Sequence, residues 1–290
     1  MVKFVDKSIR NRLLGLTRKE NLNYQQILIR FIHERFLYRV SISKYATSLY
    51  LKGGALLFAY EKFGSRPTVD IDFLGTRIKS DKTEVKKVFT NICSQVCQED
   101  GITFDIQSIS TEDIMVNKEY KGVRVQFLAH LDTIVQRISI DLGFGDVVTP
   151  EPIRITYPAL LSNIPETNLF AYSLETVLAE KFHAMVVLEN ANSRMKDFFD
   201  SYQILSNQKI DSTTLKQAII NTFDNRQTTV PQDIIAFTDD FANDPIRNRF
   251  WKGFLRRIKW NKPLEFPVVV QLIREKMQPV VSEISRRTTS

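Results

Sequence analysis

Apolar residues recur along the first half of the chain with two different periods. From Tyr24 to about Val40 they fall at Tyr24, Ile27, Leu28, Phe31, Ile32 and Phe36, the spacing of a helix with one buried stripe. A short apolar run, Ser48-Leu49-Tyr50-Leu51, leads into Lys52-Gly53-Gly54, and Ala55 to Lys62 again reads as helix. Over Thr68–Leu74 the period becomes two, which puts Val69, Ile71 and Phe73 on one face and Asp70 and Asp72 on the other. This segment predicts a strand that carries paired carboxylates. A helix from about Lys82 to Cys97 precedes three strand-like runs, Ile102–Ile109, Val123–Leu131 and Thr133–Leu142, whose short separations predict a meander.

Pro150, Pro152, Pro158 and Pro165 punctuate residues 146–170 and predict a domain boundary there, although Ile153–Tyr157 can still add a strand to the first domain. Beyond the boundary the periodicity is helical over Ser173–Asn190, Arg194–Ser206, Ser212–Phe223, Pro231–Ala242, Ile246–Lys259 and Pro267–Lys276, with Ser173 as an N-cap. The expected class is therefore α+β: a mixed sheet with flanking helices over residues 1–165, then an all-helical domain over 166–290.

Composition narrows the picture. With 43% hydrophobic and 25% charged residues, 10 Gly and 10 Pro among 290, this is a folded chain rather than a disordered one. No apolar run reaches the roughly 20 residues that span a bilayer, and Met1–Asp6 has no signal-peptide character, so the expectation is a cytoplasmic protein with no membrane partner. The two cysteines, Cys93 and Cys97, and the scattered His33, His130 and His183 lack zinc-ligand spacing; the cysteines are expected to be ordinary thiols near a core face. The net charge of +7 is unevenly spread: residues 1–44 carry +7, residues 245–290 carry +8 and the middle carries −8. Basic ends around an acidic centre suit a metal site flanked by surfaces for a polyanion, and equally suit surface charge kept for solubility.

The chemistry begins with Gly53-Gly54 followed by Asp70-Ile71-Asp72. Glycines between a strand and a helix let backbone N–H groups approach a phosphate at the helix N-terminus. Carboxylates at i and i+2 on a strand can hold the same divalent cations, whereas unpaired they repel each other on a solvated face. A third carboxylate is expected on a neighbouring strand: Asp141 is preferred, with Asp105 and Asp146 behind it. In the helical half the stripe Leu174, Leu178, Lys181, Met185, Leu188 puts a lysine at an apolar position, where it either snorkels or meets an anion such as a nucleotide phosphate. Arg194, Asp197 and Asp200 follow at i, i+3, i+6 and could pair with Lys181 from the next helix. From Arg247 to Trp260 basic and aromatic residues interleave, which fits phosphate contacts with base stacking, or a core face with a basic wet side.

Four motifs occur in one order: Leu51-Lys52-Gly53-Gly54-Ala55-Leu56, Arg66-Pro67-Thr68-Val69-Asp70-Ile71-Asp72-Phe73, Glu180-Lys181-Phe182-His183-Ala184-Met185, and Arg194-Met195-Lys196-Asp197-Phe198-Phe199-Asp200. Together they resemble the AbiEii/AbiGii toxin family of nucleotidyltransferases, found in bacterial toxin–antitoxin and phage-defence systems. The resemblance implies a polymerase-β-like nucleotidyltransferase domain followed by a helical domain, with the active site in the cleft between them. It makes Asp70 and Asp72 the metal-binding pair, with Asp141, read from its strand pattern, as the expected third ligand. Asp70, Asp72, Lys181 and Asp197 become the catalytic set, and Lys52, Gly53, Gly54, Thr68, Lys181, Arg194 and Asp200 the nucleotide-binding set. Many relatives have Ser after the first glycine, where this chain has Gly54.

The implied reaction is Mg²⁺-dependent (or Mn²⁺-dependent) transfer of a nucleoside monophosphate from an NTP to RNA, at the 3′ end of tRNA, under the control of a cognate antitoxin. Two alternatives stay open: transfer to a protein or small molecule, and a non-catalytic module that binds nucleic acid or antitoxin.

Overall fold

The computed structural model describes residues 2–20, 22–116 and 120–288. The chain divides into two compact units, one comprising Met1–Gly145 with Ile153–Ala171 and the other Asp146–Pro152 with Tyr172–Ser290.

The first unit is an α/β layer built on one mixed sheet. Its elements are α1 (Val2–Glu20), α2 (Tyr24–Ile42), β1 (Leu49–Lys52), α3 (Gly53–Glu61), β2 (Asp70–Gly75), α4 (Lys82–Cys93), β3 (Thr103–Val116), β4 (Tyr120–Leu131), β5 (Ile134–Phe144), β6 (Ile153–Tyr157) and β7 (Thr167–Ala171). The strands lie in the order β3-β4-β5-β2-β1-β7-β6. The meander β3-β4-β5 is antiparallel, as its tight connections demand, while β2 joins β5 in parallel and β1 in antiparallel.

Alternation explains which face is packed. Leu51, Ile71, Phe73, Ile138, Ile140, Leu142, Val123 and Val125 are all buried on one side of the sheet. They meet α2 and α4, where Phe36 touches Phe89, Phe104 and Phe127 with ring centroids 6.1, 5.8 and 5.3 Å apart. α2 also carries charge into this core: Arg35 reaches Asp100 at 2.8 Å, Arg39 pairs with the same carboxylate, and Glu34 accepts from the Leu160 amide at 2.9 Å. A buried carboxylate shared by two guanidiniums is compensated, so this polar set ties α2 to the loops at 100 and 160.

The second unit is helical: α5 (Leu174–Leu188), α6 (Met195–Asn207), α7 (Ser212–Asn225), the short α8 (Asp239–Asn243), α9 (Pro245–Arg257) and α10 (Phe266–Thr288). Ser173 caps α5 by accepting from the Thr176 amide, as its position before Leu174 predicts. Its core is aromatic, with Phe199 against Trp251, Phe254 and Trp260 at 6.3, 5.6 and 5.1 Å.

Several elements depart from the sequence pattern. α1 and β7 add to the elements that the sequence pattern predicts. Val69 is 63% exposed and lies outside the sheet, because β2 starts only at Asp70. Cys97 lies beyond the end of α4, and both cysteines are buried free thiols. Residues 231–242 do not form one helix; a 3-10 turn at Ile235–Phe237 is followed by α8, which Thr238 restarts by accepting from the Phe241 amide. α10 does not stop near Lys276 but runs through Pro279, since Val280, Val281 and Ile284 continue the buried stripe of Val270, Ile273 and Met277. Burying that stripe offsets the roughly 3 kcal/mol that an interior proline costs.

Candidate active site

The turn from β1 into α3 is set by Lys52-Gly53-Gly54. Gly53 has φ +68°, and a Cβ placed on it would stand 2.0 Å from Oδ2 of Asp72, so both the backbone conformation and the carboxylate require glycine. A Cβ at Gly54 would meet Thr68 Cβ and Oγ1 at 3.1 Å and Arg66 Nη2 at 3.2 Å. Thr68 is fixed by donating from Oγ1 to the Asp70 carbonyl at 3.1 Å. Lys52 is the N-cap residue of α3 and is itself buried, and the first-turn amides that follow have no intrahelical acceptor.

Strand register then aligns a row of charges across the sheet. Lys52 on β1 is the direct partner of Asp72 on β2, Asp72 of Asp141 on β5, Asp141 of Arg124 on β4, and Arg124 of Glu112 on β3. Directly paired residues share a face, so these five side chains stand in one line, opposite the buried apolar face. Asp70, two residues before Asp72, lies on the same face beside Ser139. Adjacent carboxylates on paired strands repel; here Lys52 and Arg124 flank the Asp72–Asp141 pair from either side. Arg124 grips Asp141 with Nε to Oδ1 at 2.7 Å and Nη2 to Oδ2 at 2.8 Å, and stands 3.9 Å from Glu112. Donation of its hydrogen bonds to Asp141, with the charges of Asp141, Asp70 and Glu112, raises the Arg124 pKa above its ordinary value.

The runner-up carboxylates lie elsewhere. Asp105 accepts from the Gln107 and Ser108 amides at 2.9 and 3.3 Å, shaping the irregularity in β3. Asp146 belongs to the second unit, where it meets Arg226 at 3.2 Å.

The other sequence-predicted residues also lie in the second unit. Lys181 on α5 reaches Asp197 at 3.1 Å and Asp200 at 2.8 Å on α6, while Arg194 donates to Asp197 at 2.5 Å. Both carboxylates are 2% exposed, so Lys181 does not snorkel: its stripe position aims it at two buried anions. Burial alone would raise the Asp197 pKa, but Lys181 and Arg194 override it and hold the group at about 2. Asp197 also occupies the first turn of α6, where the helix dipole favours negative charge. Beside this cluster, Arg226 bridges Asp146, Glu180 and His183, and burial followed by the Arg226 charge lowers His183 to about 4.

A family model for the nucleotidyl transferase AbiEii toxin of type IV toxin–antitoxin systems matches residues 35–274. The chain belongs to this family. It is therefore a nucleotidyltransferase and the toxin component of a toxin–antitoxin pair. No curated protein matches it. Two solved H. pylori structures do: one of JHP933, with TM-score 0.52, 12% identity and coverage of 92% of this chain and 97% of that one. The other, provisionally described as a nucleotidyltransferase, has TM-score 0.49 and 12% identity and covers 91% and 98%. At 12% identity the likeness to JHP933 is one of fold.

The AbiEii match implies a divalent cation, and the donor set suits one in part. Asp70 and Asp72 offer hard carboxylate oxygens from one strand face, beside the Gly53 turn. Asp141 is in register to join them, but Arg124 holds both of its oxygens, and among the described residues no three acidic, His or Cys groups converge as they stand. Arg124 is the residue that the sequence reading did not single out. Its only signal is a polar position between Val123 and Val125, and its partner is defined by register alone.

Proposed function

We propose that this AbiEii nucleotidyltransferase uses Mg²⁺ or Mn²⁺ to transfer a nucleoside monophosphate from an NTP to RNA, at the 3′ end of tRNA, and so arrests growth until a cognate antitoxin restrains it. The observation that carries the reading is the register of Asp72 beside Asp141, with Asp70 on the same face and Gly53 packed against the Asp72 carboxylate.

In this reading Asp70 and Asp72 hold the divalent cation, with Asp141 as third ligand once Arg124 releases it. The cation supplies activation of the attacking oxygen and neutralisation of charge on the leaving pyrophosphate. The Gly53 and Gly54 amides, at the N-terminus of α3, cradle the triphosphate, flanked by Lys52 and Thr68. Lys181 and Arg194 contact the nucleotide phosphates, and Asp197 with Asp200 keeps the Lys181 ammonium charged and aimed. The RNA 3′-hydroxyl oxygen forms a bond to the α-phosphorus as the bond from that phosphorus to the bridging β-phosphate oxygen breaks. The hydroxyl proton passes to a carboxylate oxygen of the row, and pyrophosphate departs. A tRNA acceptor makes the cytoplasm the place of action.

The test is incubation with each α-labelled triphosphate, Mg²⁺, and either total RNA or cell protein. Label in a tRNA-sized band, lost in Asp72→Asn, is the expected result. Label in protein instead transfers the same chemistry to another acceptor, and growth arrest that survives Asp72→Asn removes the enzymatic account of toxicity.

A further inference from the structure

We propose that the solvent face of α9 binds a single-stranded segment of RNA; this deepens the reading above and rests on RNA being the acceptor. α9 sorts the interleaved basic and aromatic residues cleanly. Trp251 and Phe254 turn into the core, and Arg247 is tied down by Asp244 and Asn190. At 3.6 residues per turn the opposite arc gathers Arg249, Lys252, Arg256 and Arg257, all exposed. No carboxylate occurs in the helix itself, and among the described residues Arg249, Lys252 and Arg256 make no ion pair. Arg249, Lys252 and Arg256 line one depression of about 700 Å³ with Pro245, Asn248 and Leu255.

Like charges spaced i, i+3 and i+4 along a helix repel, and a polyanion laid along them relieves that repulsion while releasing its own counterions. The second observation is apolar. Phe250 is 50% and Ile246 59% exposed on the same arc, and Gly253 beside them has nothing within 4 Å of the position a Cβ would take. Phe250 is thus an uncovered aromatic ring standing among cations over an open patch of helix backbone, the arrangement that stacks an unpaired base while neighbouring cations take the phosphates. A protein partner fits less well, since interface cores are depleted in lysine and here two apolar side chains stand among four cations.

Fluorescence anisotropy of the full chain with a short labelled single-stranded RNA, without triphosphate or divalent cation, tests the face directly. Arg249→Gln/Lys252→Gln/Arg256→Gln should weaken binding at least roughly 30-fold at low salt and flatten the dependence of log K on log salt by about 2, at about 0.7 per lost phosphate contact. Arg249→Gln alone should give about a third of that flattening. Phe250→Ala should weaken binding on the order of tenfold and leave the salt slope unchanged. An exposed basic set on α4 in which Lys82 meets Asp113 and Lys87 meets Glu84, changed as Lys82→Gln/Lys86→Gln/Lys87→Gln, should leave the affinity within about threefold. Wild-type affinity in the α9 triple variant, or equal losses from both helices, overturns the proposal, as does RNA binding unchanged while capture of an acidic polyglutamate peptide is lost. Labelling of protein rather than RNA in the triphosphate assay would sink the acceptor reading whatever α9 does. RNA labelling by the wild type together with unchanged RNA affinity in the variants would sink the α9 assignment alone.

Discussion

The Arg124 guanidinium occupies both oxygens of Asp141, at 2.7 and 2.8 Å, in the register position directly beside Asp72. A cation built into the sheet thus holds the third carboxylate from the side away from the Asp70–Asp72 pair. Arg124→Gln should therefore raise the affinity for Mn²⁺ roughly fivefold, by removing a competing positive charge worth about 1 kcal/mol in a partly exposed pair. Isothermal titration with Mn²⁺ and no nucleotide checks this. Unchanged affinity would show that Asp141 does not ligate the ion.

Gly53 is constrained twice, by its positive φ and by the Asp72 carboxylate 2.0 Å from where a Cβ would lie. Gly53→Ala should displace Asp72, destabilise the first unit by roughly 1–3 kcal/mol and reduce nucleotide incorporation at least about 100-fold. Chemical denaturation and the incorporation assay give the two numbers. Retention of near wild-type incorporation would mean that the position of Asp72 is unimportant for the reaction.

Lys181 neutralises two carboxylates that are each 2% exposed. Lys181→Met removes the ammonium from Asp200 and leaves Asp197 with Arg194, and should destabilise the second unit by about 3–5 kcal/mol. Adding Asp200→Asn should recover most of that stability without restoring incorporation, which separates the structural role of Lys181 from the proposed phosphate contact. If activity returned together with stability, Lys181 would be a structural residue only.

The two units should respond differently to acid. In the first, burial lowers His33 to about 4 and raises Glu34 to about 7. The His33 contribution is present above pH 6.5 and lost on acidification towards 4, whereas the Glu34 contribution is present below 4.5 and lost as pH rises through 7; they offset each other. In the second, His183 at about 4 and Asp197 at about 2 have the same sign: stability falls with pH from 6.5 through 4 and again from 3.8 through 2. Trp251 and Trp260 both lie in the second unit and are the chain's two tryptophans, so tryptophan fluorescence should report loss of that unit at a higher pH than far-ultraviolet circular dichroism reports for the whole chain. His183→Gln should shift the fluorescence transition to lower pH. Coincident transitions in both signals would refute the difference.

What the sequence determined by itself was local. Period-two alternation was enough to put Asp70 and Asp72 on one face of a strand, and the 3.6-residue stripe was enough to mark Lys181 as a lysine that either snorkels or meets an anion, a choice left to the packing of α6. Glycine beside a strand end declared a turn. These are near-neighbour properties, which chain geometry fixes without knowledge of what packs where. The row Lys52–Asp72–Asp141–Arg124–Glu112 was decided only in three dimensions, because a strand's partner and register depend on the whole sheet and a shift of one residue would turn every side chain to the other face. For the same reason Arg124 went unread, α10 passes through Pro279 and Phe250 is left in solvent while Trp251 beside it is buried. Each depends on which distant surface was available to cover it, and no local spacing carries that information.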